Sequence, residues 1–249
     1  MSTWNKTRQR HLTIIHDQQE VPKTLHITEN SKTGASVDFA IHRTCAPTRV
    51  CRGEGDDSAS CYALRGFLAY PNAVALQAKN QLLVESLETA PPAEVRRVAD
   101  ALWGALPRGR SWLRWNGAGD LTPGACRVIN SLTRRRPELT LWVISRKPKM
   151  VLMLKDRKNL RVLLSLDHST PAKIARRLRA VALGFQVGRA RLAYTRVSEA
   201  DIPPDDVYVV FNKHTGPKRN AWPHPSVCPA TLPDVEHRGA CESCRWCFT

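Results

Sequence analysis

The chain has 249 residues, with 38 Lys and Arg against 22 Asp and Glu, which gives a formal net charge of +16. This length is ample for one domain with a full hydrophobic core, so disulfide bonds are not needed for stability. The first thirty residues interrupt every apolar run with charge, and no window has the ~18 uncharged apolar residues of a spanning helix. We therefore expect a cytoplasmic protein without a membrane segment. The positive charge favours an anionic partner, nucleic acid first, although excess Lys and Arg also serve solubility alone.

Strand patterns alternate with helical periodicity through the middle of the chain, which is typical of βα units and a parallel sheet. The predicted strands are residues 36–42, 111–121, 139–145, 160–166, 191–197 and 206–212. The predicted helices are residues 62–88, with a break at Pro71, then 92–106, 122–136 and a helix that starts near residue 171. Six strands are too few for a closed eightfold barrel but enough for a partial (βα)6 barrel. The nearly continuous apolar runs of the third and fourth strands predict helices on both faces of the sheet.

The composition divides this α/β chain into three segments. Residues 1–30 form a basic N-terminal segment, and residues 31–212 contain the predicted barrel. After Asn212 the composition changes to Pro, His, Lys and Gly, and residues 213–249 are predicted to form a small cysteine-rich, metal-binding appendage. In a reducing cytoplasm, clustered cysteines bind metal more often than they form disulfides.

The C-terminal end of the chain holds four of the eight cysteines, Cys228, Cys241, Cys244 and Cys247. Four thiolates are the full ligand set of a tetrahedral zinc ion or of a [4Fe-4S] cluster. Structural zinc usually takes two separated CxxC pairs, whereas three cysteines two residues apart are typical of ferredoxin loops. We predict a [4Fe-4S] cluster here, with zinc as the first alternative and disulfides or free thiols as the second.

A second group, Cys45, Cys51 and Cys61, lies between the first predicted strand and the first helix. Three thiolates on a four-iron cube leave one iron without a protein ligand, where a small molecule with an amine and a carboxylate can chelate. The loop falls at the carboxyl ends of the predicted strands, where βα barrels place their chemistry. The alternative is a zinc site completed by His42 or by a cysteine of the other group.

Several motifs together resemble the phage gene product 88 family. They are SKTGASVDFAIHRTCAP, CYALRG, RWNGAGDLTPG, WVISRKP, SLDHSTP and the closing CPATL with CESCRWCF, which span roughly residues 31–248. The CYA-ended cysteine loop is also similar to phage proteins related to radical S-adenosylmethionine (radical SAM) enzymes. The resemblance implies a partial barrel of the radical-SAM type with two [4Fe-4S] clusters and S-adenosylmethionine as cofactors. The chain departs from the usual CxxxCxxC loop of radical-SAM enzymes.

The resemblance further implies a binding region for S-adenosylmethionine. Residues 116–120 (NGAGD) are placed like the segment that receives the methionine amino group in radical-SAM enzymes. Backbone groups near Asn116, Gly117 and Gly119 would meet the methionyl group, and Asp120 would pair with its ammonium. A tight βα turn with a solvated Asp120 is the alternative.

Further cofactor contacts are implied at the ends of the later strands. Ser165 and Asp167 are candidates for the ribose hydroxyls, although Asp167 also suits the cap of the following helix. Ser145 and Arg146 are candidates for the carboxylate of the cofactor, and Asn212 is expected near the adenine or the substrate.

Other residues with chemical potential have plainer explanations. Cys126 is the candidate hydrogen-atom donor of an active site, but a lone cysteine in an apolar helix is more often a small buried hydrophobe. The basic concentrations at 134–136, 147–161 and 176–179 fall on helix ends and outer faces, where charge is usually solvated. Trp112, Trp115 and Trp142 lie on predicted strands and are expected in the core rather than stacked on bases.

Two functions are consistent with these observations. The first is a radical-SAM-like enzyme that reductively cleaves S-adenosylmethionine and acts on an unknown substrate, with a nucleic acid or nucleotide as the first guess. Such an enzyme needs an electron donor. The second is a non-catalytic iron–sulfur or zinc protein of phage origin that binds nucleic acid or a protein partner, with its metals as structural supports.

Overall fold

A computed structural model describes most of the chain. The described residues are 3–30, 34–54, 61–64, 66–186, 189–198, 200–212 and 226–228, together with Cys241, Cys244 and Cys247. Most of the predicted appendage, residues 213–249, therefore lies outside the described residues.

Eight α-helices and seven β-strands occur in the described part of the chain. The helices are α1 (Thr3–His16), α2 (Ile41–Thr44), α3 (Arg49–Arg52), α4 (Pro71–Ser86), α5 (Pro92–Ala105), α6 (Pro123–Arg135), α7 (Pro148–Val151) and α8 (Ala172–Gly184). The strands are β1 (Ile27–Asn30), β2 (Gly34–Val37), β3 (Trp112–Trp115), β4 (Thr140–Ser145), β5 (Leu160–Leu166), β6 (Ala190–Arg196) and β7 (Val209–Asn212). Two 3₁₀ helices, Tyr62–Leu64 and Gly66–Ala69, precede α4.

All seven strands form one sheet in the order in which they occur along the chain. Strand β1 is antiparallel to β2, and β2 to β7 are parallel neighbours. Because every parallel strand lies next to its predecessor, the carboxyl ends of β2 to β7 meet at one edge of the sheet. The predicted α/β class with a sequential parallel sheet is confirmed at this level.

The helices lie on one face of this sheet. Leu141 and Val143 of β4 belong to a large core that includes Val98 of α5 and Ile129 of α6. The alternate side chains of the strands, such as Trp142 and Leu163, belong to a separate cluster on the opposite face. We call this opposite side the second face.

Helices α1 to α8 contribute no side chain to the apolar cluster of the second face, whereas Cys241, which packs there, is itself a helical residue. The apolar members of the second-face cluster come from the strands, the residue before β7 and the C-terminal cysteines. On this face the apolar side chains of β4 and β5 pack with two tryptophans and three cysteines. As predicted, Trp112, Trp115 and Trp142 are buried.

Local chemistry sets several of the element boundaries. Pro71 opens α4, and Thr122 caps α6 by accepting a hydrogen bond from the backbone N–H of Ala125. Strand β3 is shorter than the predicted 111–121 because Asn116 has a φ of 63°, which turns the chain out of the sheet. The predicted strand 36–42 likewise ends early, and α2 begins at Ile41. The sequence predictions omitted α1, β1 and α7.

None of the described helices is long and apolar enough to cross a membrane.

Candidate metal site at the carboxyl ends of the strands

Three cysteines come together on the loop that follows β2. Cys45 ends α2, Cys51 lies in α3, and the backbone N–H of Cys61 donates to the carbonyl oxygen of Cys51 at 2.8 Å. Cys45 and Cys61 pack on an apolar patch that includes Ile41 and Ala118. The fold therefore gathers the three residues that the sequence analysis selected.

Burial governs the protonation of these thiols. It raises the pKa of Cys61 to about 11, and the neighbouring Cys51 adds to the effect. The pKa of Cys45 is raised well above its ordinary value, first by burial and then by Asp120 and the other two cysteines. Cys51 therefore raises the pKa of both Cys45 and Cys61, and a bound metal cation would lower both values.

A network of polar side chains contacts the sulfur of Cys51. Arg146 Nη1 and Thr48 Oγ1 each lie 3.5 Å from Cys51 Sγ. Arg146 also forms an ion pair with Asp167 at 2.6 Å, and its Nη2 lies 3.3 Å from Ser165 Oγ. Arg146 thus places a permanent positive charge beside Cys51, and the same charge also acts to lower the pKa of Cys61.

Asp167 links this network to the next helix. Its Oδ2 accepts from Arg146 and, at 2.8 Å, from Thr48, while its Oδ1 accepts from the backbone N–H and hydroxyl of Ser169 at 3.0 and 2.8 Å. Burial alone would raise the pKa of Asp167, but Arg146, Thr48 and Ser169 together hold it below its ordinary value. Ser169 Oγ also accepts from the backbone N–H of Val50, which fastens α3 to this turn.

Residues 116–120 form a close turn between β3 and α6. A Cβ on Gly117 would lie 2.1 Å from Asp38 Oδ1, and one on Gly119, whose φ is 84°, would lie 2.8 Å from the backbone of Phe39. Because these two positions carry no side chain, the turn packs closely against the segment that follows β2. Asn116 Nδ2 donates to the Ile144 carbonyl at 3.0 Å, while its buried Oδ1 has no hydrogen-bond partner in the described part of the chain.

Asp120 is buried, so the alternative of a solvated carboxylate is wrong. Its oxygens accept from the backbone N–H of Leu121 at 2.7 Å, the Ser145 hydroxyl at 2.6 Å and the backbone N–H of Arg146 at 3.2 Å. Burial raises the pKa of Asp120, although these hydrogen bonds and the charge of Lys147 oppose the effect. Asp120 and Ser145 are therefore in contact, as neighbouring positions of one site.

Asp38 is a buried residue of this site that the sequence analysis missed. Its Oδ1 accepts from the backbone N–H of Ala118 at 2.8 Å, and its other oxygen accepts from the hydroxyls of Thr28 and Ser36. The signal was present in the sequence, since Asp38 is a charged residue between the apolar Val37 and Phe39. It holds residues 116–120 against β2.

Two predicted residues lie apart from the cysteine loop. Cys126 is fully buried among the helices, its Sγ donates to the Met150 carbonyl at 3.4 Å, and burial raises its pKa to about 12. This placement favours the buried-hydrophobe interpretation over a hydrogen-atom donor. Asn212 is buried at the end of β7, where it is paired in register with Arg196.

The C-terminal cysteines gather on the second face of the sheet. Cys228 donates its backbone N–H to Val210 of β7 at 2.9 Å, and Cys228, Cys241 and Cys247 pack on the cluster that contains Trp112 and Trp142. Burial raises the pKa of Cys247, and Cys228, Cys241 and Cys244 raise it further. The four cysteines are therefore neighbours, as their spacing predicts.

His42, one of the two residues that could complete a zinc site, contacts another element. The ring of His42 packs edge-on against His11 of α1, with 5.3 Å between centroids. Burial lowers the pKa of His42 to about 4, with further contributions from His11 and Arg8. Among the residues that the structure describes, no three His, Cys, Asp or Glu side chains form a group that could hold a single metal ion.

Taken together, the fold and the site define an α/β protein with a sequential parallel sheet and a cysteine-lined site at its carboxyl edge. The chain belongs to the gene product 88 family, whose family model matches residues 5–249. No curated protein and no solved structure gives a significant match to it.

Proposed function

We propose that this protein is a radical-SAM-like iron–sulfur enzyme of the host cytoplasm, built on a partial (βα)6 barrel. One [4Fe-4S] cluster would be held by Cys45, Cys51 and Cys61, and a second by Cys228, Cys241, Cys244 and Cys247. The observation that carries the proposal is the convergence of three thiols, at the carboxyl ends of parallel strands, on a loop fixed by buried polar contacts. Folds of this kind bind cofactors at that edge.

The donor set suits a cluster with one open iron. Three cysteines leave one of four irons unligated by protein, and the cube separates its thiolates more widely than one zinc ion does. The packing of His42 on His11 also counts against a zinc site completed by His42.

The residues of the chain have defined parts in this proposal. S-adenosylmethionine, when bound, supplies one-electron chemistry that ends in hydrogen abstraction from a substrate. Arg146 orients Cys51 as a ligand through the N–H group that donates to its sulfur. Asn116 contributes a buried acceptor without a partner in the described residues, which suits the ammonium of the methionyl group. The apolar patch packs against the half-buried Cys45 and Cys61 and holds them in place.

One observation favours a second candidate, a non-catalytic iron–sulfur or zinc protein that binds nucleic acid or a protein partner. Asp120 and Asp167, which would contact the cofactor, already accept hydrogen bonds from the protein at both of their oxygens. Binding of S-adenosylmethionine through these carboxylates would require at least one of them to exchange partners. In this second candidate, the same network only anchors the cysteine loop.

Anaerobic reconstitution of the full chain with iron and sulfide separates the two candidates. Iron is counted, and electron paramagnetic resonance (EPR) spectra of the reduced protein are recorded with and without S-adenosylmethionine. About eight irons per chain and a spectrum that changes with the cofactor support the enzyme. Iron with an unchanged spectrum supports the non-catalytic candidate, and about one or two zinc ions without iron would exclude both clusters.

A further inference from the structure

Helix α1 carries a basic and exposed surface. It contains Lys6, Arg8 and Arg10 but no Asp or Glu. All three basic side chains are exposed, and none of them forms an ion pair within the part of the chain that the structure describes. Lys6 and Arg10 are four residues apart, so they share one side of the helix and lie about 6 Å apart along its axis. These charges are therefore open to solvent and to an anionic partner.

An exposed aromatic residue lies beside this helix. Tyr70, the residue before α4, is 64% exposed. The imidazole of His11 in α1 interacts with the backbone of Ala69, which precedes Tyr70. Among the side chains that the structure describes, no other Phe, Tyr or Trp is exposed. We call Tyr70 and the three basic residues of α1 the α1 surface.

The α1 surface adjoins the first cysteine group. Burial lowers the pKa of His42 in α2, and Arg8 is one of the neighbouring groups that lower it further. Helix α2 ends at Cys45. On the other side, Leu68 lies two residues before Tyr70 and belongs to the apolar patch that also contains Cys45. A molecule bound to both Arg8 and Tyr70 would therefore lie next to the cysteine loop.

The basic concentrations selected from the sequence lack this combination of features. Arg135 and Arg179 form ion pairs with aspartates. Arg176 and Arg177 are exposed on α8, but this helix packs mainly on β6, α7 and β5. Helices α6, α7 and α8 contain no Phe, Tyr or Trp. Within the described residues, the α1 surface therefore best combines unpaired positive charge, an exposed ring and proximity to the first cysteine group.

We propose that the α1 surface binds single-stranded nucleic acid and so brings a nucleotide to the first cysteine group. Lys and Arg form charge-assisted hydrogen bonds with phosphate oxygens, and the length of about 6 Å between Lys6 and Arg10 corresponds to about two phosphates of a strand. Tyr70 offers a ring on which an unpaired base can stack, which favours a single strand over a duplex. The role of the strand as a substrate rests on the proposed function, whereas its binding does not.

The test measures binding of the full chain, after reconstitution with iron and sulfide, to fluorescently labelled oligonucleotides by anisotropy. Single-stranded DNA and RNA of one sequence are compared with the DNA duplex at about 50 and 200 mM salt, because phosphate contacts weaken steeply over this range. We expect a single strand to bind more tightly than the duplex, and the tighter of the two strands identifies the kind of nucleic acid. In Arg8→Gln/Arg10→Gln, the slope of log K against log salt should become less steep by about 1.4, the value for two lost contacts to a single strand.

A matched variant removes the same charge from another helix. Arg176→Gln/Arg177→Gln changes two exposed arginines of α8 and should bind like the unchanged chain. Equal affinities of the two double variants, or no binding of either strand by the unchanged chain, would overturn the proposal. Arg8→Lys/Arg10→Lys keeps the charge and should keep most of the salt slope. Circular dichroism checks that all variants are folded, which their exposed positions favour.

The aromatic contact is tested separately. Tyr70→Ala removes the ring at a position that makes no side-chain cap hydrogen bond, and it should weaken single-strand binding about 5- to 150-fold with little change in the salt slope. Tyr70→Phe keeps the ring and should bind like the unchanged chain. Unchanged binding by Tyr70→Ala, or a duplex that binds as tightly as the single strands, would contradict recognition of a single strand.

Iron counting in the same samples separates this inference from the proposed enzyme. A chain that binds a strand through the α1 surface but holds no iron defeats the proposed enzyme and leaves this inference intact. A chain with about eight irons and an EPR spectrum that responds to S-adenosylmethionine, but with no affinity for either strand, does the reverse.

Discussion

The two cysteine groups occupy different chemical surroundings on the same sheet. Cys45, Cys51 and Cys61 lie at the carboxyl edge, where an arginine and a threonine stand 3.5 Å from one of the sulfurs. The C-terminal group instead lies on the second face, where three of its members pack on tryptophans and on aliphatic side chains of the strands.

This contrast indicates that the first group suits a binding or catalytic site, whereas the second suits a structural site. Polar groups near the first set can fix the charge of a bound group and orient a small molecule, and they come from four successive loops. The second set completes the apolar covering of the strands on the face opposite to α4, α5, α6 and α8. A metal bound there would fasten the C-terminal segment to the sheet.

The largest expected effect tests whether the two groups bind independently. Cys61→Ala should lose about half of the bound iron and the whole spectral response to S-adenosylmethionine, whereas Cys244→Ala should lose the other half and keep that response. Cys126→Ala, which removes a cysteine outside both groups, should leave the iron content unchanged. Cofactor cleavage that persisted in Cys61→Ala would contradict the assignment of the first group.

The next effect concerns the arginine that distinguishes the first group. Arg146→Met leaves the fully buried carboxylate of Asp167 without its ion pair and should lower the free energy of unfolding by about 3–5 kcal/mol. Arg179→Met breaks the exposed pair with Asp206 and should cost less than about 1 kcal/mol. Urea denaturation of both variants measures the difference. Similar losses in the two would mean that Arg146 does not hold the site together.

A smaller effect is expected from the turn between the first group and the sheet. Gly117→Ala places a methyl group against Asp38 Oδ1 and should destabilise the fold by about 1–3 kcal/mol. In Gly104→Ala, at a helical position with open space around it, the same methyl group should stabilise the chain by about 0.5–1 kcal/mol. Thermal melting of the pair checks both signs. A stable Gly117→Ala protein would show that Asp38 moves away at little cost.

The smallest effect concerns His42 of α2, the helix that leads to Cys45 of the first group. The pKa of His42 is about 4 in the folded chain and 6.5 in its unperturbed state, so the unfolded state binds more protons between these values. Stability should therefore be full above about pH 6.5 and should decline towards pH 4. His42→Gln should reduce the acid-induced drop in Tm by about 2–4 °C, while His16→Gln, at an exposed helix end, should not. An unchanged drop in His42→Gln would show that the neutral ring of His42 is not required.

Local sequence signals were sufficient to predict the regular elements whose ends are marked by a characteristic residue, such as a proline at the start of a helix. Pro92 and Pro123 open α5 and α6 as predicted, and β5 covers residues 160–166 as predicted. Strand ends were less predictable because the backbone leaves the sheet where a single residue, such as Asn116, adopts a positive φ. Helix α1 was not predicted because its sequence is rich in polar and charged residues, although Ile15 packs in a buried apolar cluster.

The candidate site was predictable in its residue types but not in its connections. Spacing alone selected both cysteine groups, and the resemblance to radical-SAM enzymes implied roles for Asp120, Ser145, Arg146 and Asp167. That Arg146 binds Asp167, and that Asp120 binds Ser145, depends on side chains 21 and 25 residues apart that meet only when the strand ends align. Asp38 was missed for the same reason, since its partner Ala118 is 80 residues away.

The sequence by itself therefore determined the α/β class, the order of the parallel strands and the division of seven cysteines into two groups, because these depend on periodicity and on near neighbours. Only the tertiary structure decided which face of the sheet the helices cover and where the second cysteine group packs. It also revealed the partners of the buried carboxylates. These features are set by contacts between distant segments, whose free energies depend on burial and on the alignment of neighbouring strands.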